Sequence, residues 1–358
     1  MIRLAQFPEM LLSCNIGEIA VLTDHDYLSV SLATATKTLL SGRFYAYNGT
    51  VNINDIRSLV ESELNAAGNS LDTFSLTVSY NDETETSSFT AIYCNRDVVA
   101  TDVDTMFLTH FLTPASARRI SPDALVFVSW FAGKNEKLAY YVYCDYIAGG
   151  KLGHLSFIAG YANITAEENR IVSVSITCEY VQKEAARLAK TDVVVVAFTV
   201  RVGERATSFF IDKALTDMRC FYFRNAFNVP DLIYFPAVTT AKTSVDRSVA
   251  VLHDTSQFYD CSQQQSFEVQ SASLSPCECL LANQLFSSLN VRIADDSDDA
   301  DFDAMRQILI TESTCEISDF PEKPDSVKFS WRYVNNNISL PVSSSSDIFT
   351  NPYNFIFS

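Results

Sequence analysis

Apolar and polar residues alternate along many segments of the chain. The clearest runs are FSLTVSY at 74–80, VSVSITCEY at 172–180 and VKFSWRY at 327–333, in which every second residue is apolar. Because successive side chains of a β-strand point to opposite faces, this period predicts strands with one buried and one polar face. Such strands are typical of antiparallel sheets. We therefore expect a mainly β protein, built from consecutive antiparallel β-sandwich or barrel domains.

Two further segments are apolar at nearly every position, VVVVAFTV at 193–200 and LAYYVYCDY at 138–146. Strands of this kind lie centrally in a sheet, with both faces covered. The glycines of YIAGGKLGHLSF at 146–157 predict a hairpin connection. They also fit a loose phosphate-loop pattern, but no helical pattern follows them, so we interpret them as a turn.

Only two segments have the apolar spacing of a helix. The first, near 54–67, repeats apolar residues every three or four positions between Asn54 as a cap and Gly68 as a stop. The second, near 275–289, begins with Ser275, Pro276 and Glu278, the sequence of a capping box with proline at the first helical position. One helix thus lies near each end of the chain.

These elements predict three domains and a tail. The first is a β-sandwich with its helix, residues 1–105, and the second is an all-β domain, residues 106–218. The third is another β-sandwich with its helix, residues 219–340, and it is followed by a C-terminal aromatic arm at 341–358. A chain of 358 residues is long enough for two or three domains that each bury their own core.

Composition and charge narrow the classes of function. Apolar residues make up 47% of the chain and charged residues only 19%, which is typical of an ordered protein with few surface charges. The formal net charge is −17, so the long-range field repels nucleic acid and anionic lipid. We expect no sequence-specific nucleic-acid binding, although an acidic wall that DNA passes without sticking remains consistent with this charge.

The nine cysteines are widely and irregularly spaced, so we expect reduced thiols that fill space in strands. The N-terminal segment is broken by Pro8 and Glu9 and lacks the apolar run of a signal peptide. The longest apolar run, 193–200, is too short to cross a bilayer. The expectation is a protein made in a reducing cytoplasm, without membrane insertion.

No catalytic, cofactor or metal site is predicted. The four histidines lack zinc-ligand spacing, and no metalloprotease, nucleophile-elbow or P-loop motif occurs. Cys277 and Cys279 would face different directions on the predicted helix, so we interpret them as packing residues. The acidic segment 294–303 lacks the glycine and glutamate of a calcium loop, which favours a solvated loop over a cation site. Asparagines that fit the glycosylation pattern have a meaning only in a secreted chain.

The segment FRNAFNVPDLIYFP, residues 223–236, combines aromatic residues with two prolines and one arginine. The prolines favour an extended arm or loop. Its aromatic residues either complete the core of the third domain or pack against another subunit, where aromatic residues and arginine contribute most binding energy. The aromatic C-terminus also requires a surface to dock on, because free tails are usually polar. The predicted subunit-interface residues are Phe223, Arg224, Phe227, Tyr234, Phe235, Phe349, Tyr353, Phe355 and Phe357.

The segment from FYFRNAFNVPDLIYFP to VKFSWRY, with SFEVQSASLSPCECLLANQLFSSLNVRI and ILITESTCEISD between them, resembles proteins of phages and prophages of gut bacteria. Those proteins are encoded among tail or baseplate genes, and the resemblance covers about residues 218–335. It implies a virion structural protein made in the host cytoplasm. Two sandwiches that each carry one helix are similar to the tube-type domains of tail hubs, which implies a ring of identical subunits in contact with other tail proteins.

The leading hypothesis is therefore a non-enzymatic tail hub, distal-tail or baseplate ring component. The alternative is a receptor- or glycan-binding β-sandwich module of a tail fibre or adhesin, which predicts an exposed surface of tyrosine or tryptophan with polar partners. A hydrolase on a β-sandwich scaffold would need an acid and a base that converge in one cleft, and the sequence shows no such pair.

Overall fold

The structure is a computed structural model. It describes residues 1–66, 70–96, 103–133, 138–162, 169–216, 218–252, 255–294, 301–316 and 325–334. Within these residues the protein is mainly β, as predicted, with 22 strands and four α-helices. The C-terminal arm, with Phe349, Tyr353, Phe355 and Phe357, and most of the acidic segment lie outside the described residues.

The chain divides into two compact units. Unit 1 comprises Met1–Arg118, Asp123–Ile211 and Arg224–Asp231, and unit 2 comprises Arg119–Pro122, Asp212–Phe223 and the described part of Leu232–Ser358. The first predicted domain thus lies in unit 1, as does most of the second, and most of the third lies in unit 2.

Unit 1 contains the strands of the first two predicted domains. The first group is β1 Ile2–Arg3, β2 Met10–Leu12, β3 Ile19–Thr23, β4 Tyr27–Ala33, β5 Thr38–Tyr45, β6 Thr50–Ile53, β7 Leu71–Tyr80 and β8 Glu83–Ile92. The second is β9 Ala117–Ile120, β10 Leu125–Ala132, β11 Leu138–Ala148, β12 Lys151–Ala162, β13 Arg170–Thr177, β14 Val194–Val202 and β15 Arg205–Ile211. Its helices are α1 Ile56–Ala66, α2 Val103–Thr109 and α3 Cys178–Ala189. The last two residues of β9 belong to unit 2.

The first group of strands forms two open sheets, in the orders β1-β3-β6 and β2-β8-β7-β4-β5. Both sheets contribute to one apolar core, together with α1, as expected for a sandwich with a flanking helix. Helix α1 buries Ile56, Val60 and Leu64, which are spaced by four residues and therefore lie on one face. The predicted helix near 54–67 is thus confirmed.

The second group forms a two-stranded sheet, β10-β13, and a five-stranded sheet in the order β12-β11-β14-β15-β9. The prediction that this region is all-β is wrong, because it contains α2 and α3. Strand β13 ends at Thr177, whose side chain caps α3 by accepting a hydrogen bond from the backbone N–H of Tyr180 at 3.1 Å. The predicted strand 172–180 therefore ends three residues early. Cys178, Val181 and Ala185 form the buried face of α3.

Unit 2 is built on one seven-stranded sheet in the order β17-β16-β20-β21-β22-β19-β18. Its strands are β16 Cys220–Arg224, β17 Pro230–Tyr234, β18 Ala237–Leu252, β19 Thr255–Leu274, β20 Val291–Ile293, β21 Arg306–Glu316 and β22 Asp325–Tyr333. Helix α4, Pro276–Ser287, has the predicted cap: Ser275 and Glu278 form a complete capping box, and proline occupies the first turn. The prediction of a helix near 275–289 is confirmed.

Candidate assembly surfaces

The predicted interface segment 223–236 folds back on itself. Strands β16 and β17 are neighbours in the sheet and are joined by only five residues, which requires an antiparallel hairpin. Asn228 makes the turn possible, because its φ of 56° lies in the left-handed region that asparagine tolerates better than most residues. Its backbone N–H donates to the carbonyl of Asn225 at 2.9 Å. The extended arm expected from the prolines is therefore not formed.

The aromatic side chains of this segment are buried within the chain. Phe223, Phe227, Tyr234 and Phe235 are all less than a tenth exposed. Arg224 is half-buried and donates to the backbone carbonyl of Asn228 at 3.1 Å. The interface prediction is therefore wrong for the four aromatic residues, because their own chain already covers them. For the half-buried Arg224 it stays a prediction.

Two cores take up these rings. In unit 1, Phe227 joins a cluster of buried residues drawn from both of the first two predicted domains. The members of this cluster are Leu12, Ile92, Cys94, Phe107, Leu112, Phe131, Phe227 and Val229. In unit 2, the ring of Phe235 lies 5.7 Å from that of Phe221 and 5.2 Å from that of Phe329. The sequence left open that these rings complete the core of the third domain, and the structure supports this for Phe235. Phe227 instead joins a core formed by the first two predicted domains.

A buried polar network fixes the connection between β16 and β17 in unit 1. The Asp231 carboxylate accepts hydrogen bonds from the Arg118 guanidinium, from Thr113 Oγ1 at 2.7 Å and from Asn225 Nδ2 at 3.2 Å. Asn225 Nδ2 also donates to the carbonyl of Leu112 at 2.7 Å. Arg118 and Asp231 are almost fully buried, so the charge of each depends on the other for compensation. The network explains why Asn225 and Asp231 occur in an otherwise aromatic region.

A second buried carboxylate lies in unit 2. Glu278 accepts two parallel hydrogen bonds from the Arg119 guanidinium, at 2.8 and 3.0 Å, and one from the backbone N–H of Ser275 at 2.8 Å. Burial acts to raise the pKa of Glu278, but these hydrogen bonds outweigh it and lower the pKa below its usual value. Glu278 therefore stays ionised while it caps α4.

The histidines and cysteines that the structure describes show no arrangement that suggests catalysis. His25 is hydrogen-bonded to Glu83 at 2.8 Å and His154 to Asp145 at 2.6 Å, both near the surface, while His253 lies outside the described residues. All nine cysteines are thiols without disulfides. Burial raises the pKa of Cys144 to about 11 and those of Cys178 and Cys279 to about 12, so these groups stay protonated and act in packing.

The residues that the structure describes form neither a metal-binding cluster nor a membrane-spanning helix. No cluster of three histidine, cysteine or acidic side chains in them is arranged to hold a metal ion. None of the helices they form has the length and apolar character needed to cross a membrane.

The longest hairpin of unit 2 extends beyond its sheet. Strands β18 and β19 pair with each other from Ala237–Ser271 to Leu252–Thr255, but β19 pairs with β22 only from Phe267 to Leu274. Residues 242–252 and 255–266 therefore form a two-stranded ribbon, to which no described residue adds a third strand. At about 3.3 Å per residue, eleven residues extend it by roughly 35 Å.

Both faces of this ribbon are exposed. Consecutive side chains from Lys242 to Arg247 are exposed, and so are Cys261 to Gln263 on the facing strand. The ribbon also exposes large apolar side chains, including Val245, Val249 and Phe258, of which Phe258 is 66% exposed. An isolated two-stranded hairpin is only marginally stable in water. Apolar and polar residues alternate in β18 and β19, but nothing in the sequence indicates that the other strands of the sheet end before residues 242–252 and 255–266.

Unit 1 has an exposed apolar surface of its own, on one face of the five-stranded sheet. Tyr141, Tyr143 and Ile147 alternate along β11 and point to this face. The direct pairs Tyr141–Ile158, Ile147–Leu152 and Ile147–Val194 extend the face onto the neighbouring strands. We call it the tyrosine face, and its large apolar members are Tyr141, Tyr143, Ile147, Leu152, Ile158, Tyr161, Val194 and Phe210.

The opposite face of the same sheet is buried. Val142 and Cys144 of β11 and Phe198 and Val200 of β14 are almost fully inaccessible. Helix α3 contacts β11, β12 and β14. The expectation that LAYYVYCDY is covered on both faces is therefore met on one face only.

Comparison with models of known protein families gives no match to this chain, and comparison with curated proteins gives no significant match. The surfaces described above are therefore the basis for assigning a function.

Proposed function

We propose that this protein is a structural subunit of a phage virion, a tail hub, distal-tail or baseplate ring component that assembles with copies of itself. The observation that carries the proposal is the ribbon of unit 2. It exposes both faces, extends roughly 35 Å past the sheet that anchors it, and gains neither a core nor a third strand from the described part of its own chain.

A protruding ribbon of this kind fits subunit assembly for a physical reason. The two outer edges of the ribbon carry backbone N–H and C=O groups that can extend the sheet of another subunit. The same contact can bury Val245, Val249 and Phe258. Contact with a neighbour would supply the third strand that a two-stranded ribbon needs for independent stability. The resemblance to tail and baseplate proteins indicates the kind of assembly.

The charge of the chain agrees with a place beside DNA. A net charge of −17 offers few cations to replace the counterions of the DNA backbone, so a ring lumen lined by this protein would let DNA pass without binding it. Other tail proteins above and below the ring are the expected partners.

The test is the assembly state of the purified protein, measured by analytical ultracentrifugation and negative-stain microscopy over a concentration series. We expect concentration-dependent rings or ring fragments. A ribbon-less variant, in which residues 243–265 are replaced by Asn-Gly between the directly paired Lys242 and Ser266, should no longer form them.

A matched variant keeps the ribbon but removes its apolar side chains. Val245→Thr, Val249→Thr and Phe258→Thr together retain residues that favour β-strands, so the hairpin should still form while assembly weakens. A wild-type protein that stays monomeric at high concentration, or rings that survive removal of the ribbon, would contradict the proposal.

A further inference from the structure

The tyrosine face is larger than an ordinary exposed apolar patch. Its eight apolar side chains are between 39% and 64% exposed. With an area of about 200 Å² for each large side chain, they present on the order of 800 Å². The largest patch on a typical monomer is about 300–600 Å², and a standard interface buries about 800 Å² per partner. The area therefore matches what a stable dimer requires.

The charges on this face leave it almost neutral. Among the positions of β11, β12, β14 and β15 that pair across the face, the acidic and basic side chains are Asp145, His154 and Arg201. Asp145 is hydrogen-bonded to His154, and Arg201 lies over the ring of Tyr143 with its guanidinium carbon 5.6 Å from the ring centroid. On a chain with a net charge of −17, this is a region where two copies can approach without strong repulsion.

From these observations we infer that the tyrosine face is a self-association surface, on which two copies of the chain pack sheet against sheet about a twofold axis. Aligned packing of two sheets places them about 10 Å apart with their side chains interdigitated. A twofold contact uses the same patch on both copies, so a nearly neutral face that combines tyrosines with aliphatic side chains can complement itself. The tyrosine face would add a second contact between subunits to the proposed assembly. This inference rests on the proposed function only because both require copies of the chain to associate.

A second copy fits this face better than a carbohydrate does. Four of its eight apolar residues are aliphatic, namely Ile147, Leu152, Ile158 and Val194, and aliphatic side chains offer no ring for a sugar to stack on. Binding sites for small molecules are usually concave and have polar groups that converge on the ligand. Here Asp145 and His154, two of the polar groups best placed for that role, are hydrogen-bonded to each other.

The experiment compares four full-length proteins by sedimentation velocity and mass photometry. They are the wild type, the ribbon-less variant, a face variant with Leu152→Lys and Phe210→Lys, and the combination of both. A twofold contact would bring the new lysines of two copies onto one interface, so the face variant should weaken association by at least tenfold in Kd. We expect the ribbon-less variant to be a dimer and the combination to be a monomer.

A control variant, Tyr47→Lys, removes a side chain that is 79% exposed in the same unit but lies off the tyrosine face. In the ribbon-less background it should leave the dimer unchanged, and circular dichroism should show that all variants are folded. If the control weakens the dimer as much as the face variant, the contact is non-specific and the inference fails.

The outcomes separate the two proposals. A ribbon-less protein that is monomeric while the wild type forms rings overturns the tyrosine-face inference and leaves the proposed function intact. If the wild type forms no rings but the ribbon-less protein is a dimer that the face substitutions disrupt, the proposed function fails and the tyrosine-face inference stands. Two results would assign the face to another occupant and overturn the inference: glycan-array binding that the face variant loses, or a dimer that is lost only when residues 341–358 are removed.

Discussion

The segment 223–236 and the ribbon differ in a way that local sequence does not predict. The first is dense in aromatic residues and two prolines, yet its rings are buried in the cores of the chain. The second is rich in serine, threonine and glutamine, yet it exposes Val245, Val249 and Phe258 on an unsupported hairpin. Whether an apolar side chain is available to a partner depends on what the rest of the chain places over it. Aromatic density alone is therefore a poor guide to an interface.

The strongest test of this comparison removes the anchor of the buried segment. Asp231→Ala deletes the carboxylate that compensates Arg118 and ends the hydrogen bonds from Thr113 and Asn225. Breaking a buried ion pair by removing one partner costs about 3–5 kcal/mol, and we expect the upper end because three donors lose their acceptor. Urea denaturation measures the loss of unfolding free energy. Asp246→Ala, on the exposed ribbon, is the matched control and should change it very little.

The next test compares one phenylalanine from each region. Phe227→Ala opens a cavity in the buried cluster of unit 1 and should cost about 3 kcal/mol of unfolding free energy. Phe258→Ala, on the ribbon, should leave the stability of the monomer unchanged within about 0.5 kcal/mol and reduce assembly instead. If Phe258→Ala destabilises the monomer as strongly as Phe227→Ala, the ribbon is not exposed in solution.

The sequence predicted well those elements whose signals are local. The alternation at 74–80 and 327–333 identified β7 and β22, and Ser275, Pro276 and Glu278 identified the start of α4 to the residue. The failure at α3 has a local cause as well. Alternation continues from β13 through Cys178 and Tyr180, and it obscures the helical spacing of Cys178, Val181 and Ala185, which form the buried face of α3.

The assembly surfaces could not be predicted in the same way, because they depend on tertiary contacts. Nothing local to β11 indicates that α3 covers one of its faces and that the other face is exposed. The end of β22 at Tyr333, beyond which no described residue pairs with the ribbon, is likewise remote from β18 in sequence. The buried state of Phe227 required a turn at Asn228, which two nearby prolines made hard to recognise.

A smaller effect is expected at Glu278, which combines a helix cap with the pair to Arg119. Glu278→Ala removes both and should cost about 2 kcal/mol of unfolding free energy. Glu278→Gln keeps a side chain that can close the capping box, so it should cost less. Because the pKa of Glu278 is lowered in the folded state, its contribution is complete above its usual pKa and is lost as the pH falls through the lowered value. In the Glu278→Gln variant, urea titrations between pH 5 and about 2 should no longer show the loss of unfolding free energy that protonation of Glu278 causes.

The smallest expected effect lies at the base of the ribbon, where Glu268 of β19 pairs with Lys242 of β18 and with Lys328 of β22 at 2.7 Å. Hydrogen bonds from Lys242 and then Lys328 lower the pKa of Glu268 to about 2. Because the pKa of Glu268 is lowered, its ion pairs stabilise the base of the ribbon at pH values above the usual pKa of a glutamate. This stabilisation is lost as the pH falls toward 2. Because both lysine side chains are largely solvent-exposed, the global stability should barely change.

Protonation of Glu268 should loosen the base of the ribbon locally. As the pH is lowered from 5 to 3, amide hydrogen exchange should become faster in 242–247 than in the β7–β8 hairpin, after correction for the intrinsic rates. Glu268→Gln should show this faster exchange already at pH 5 and lose the additional increase at lower pH. Equal protection of 242–247 in both proteins across this range would mean that the ribbon is held in place by contacts other than its ionic base.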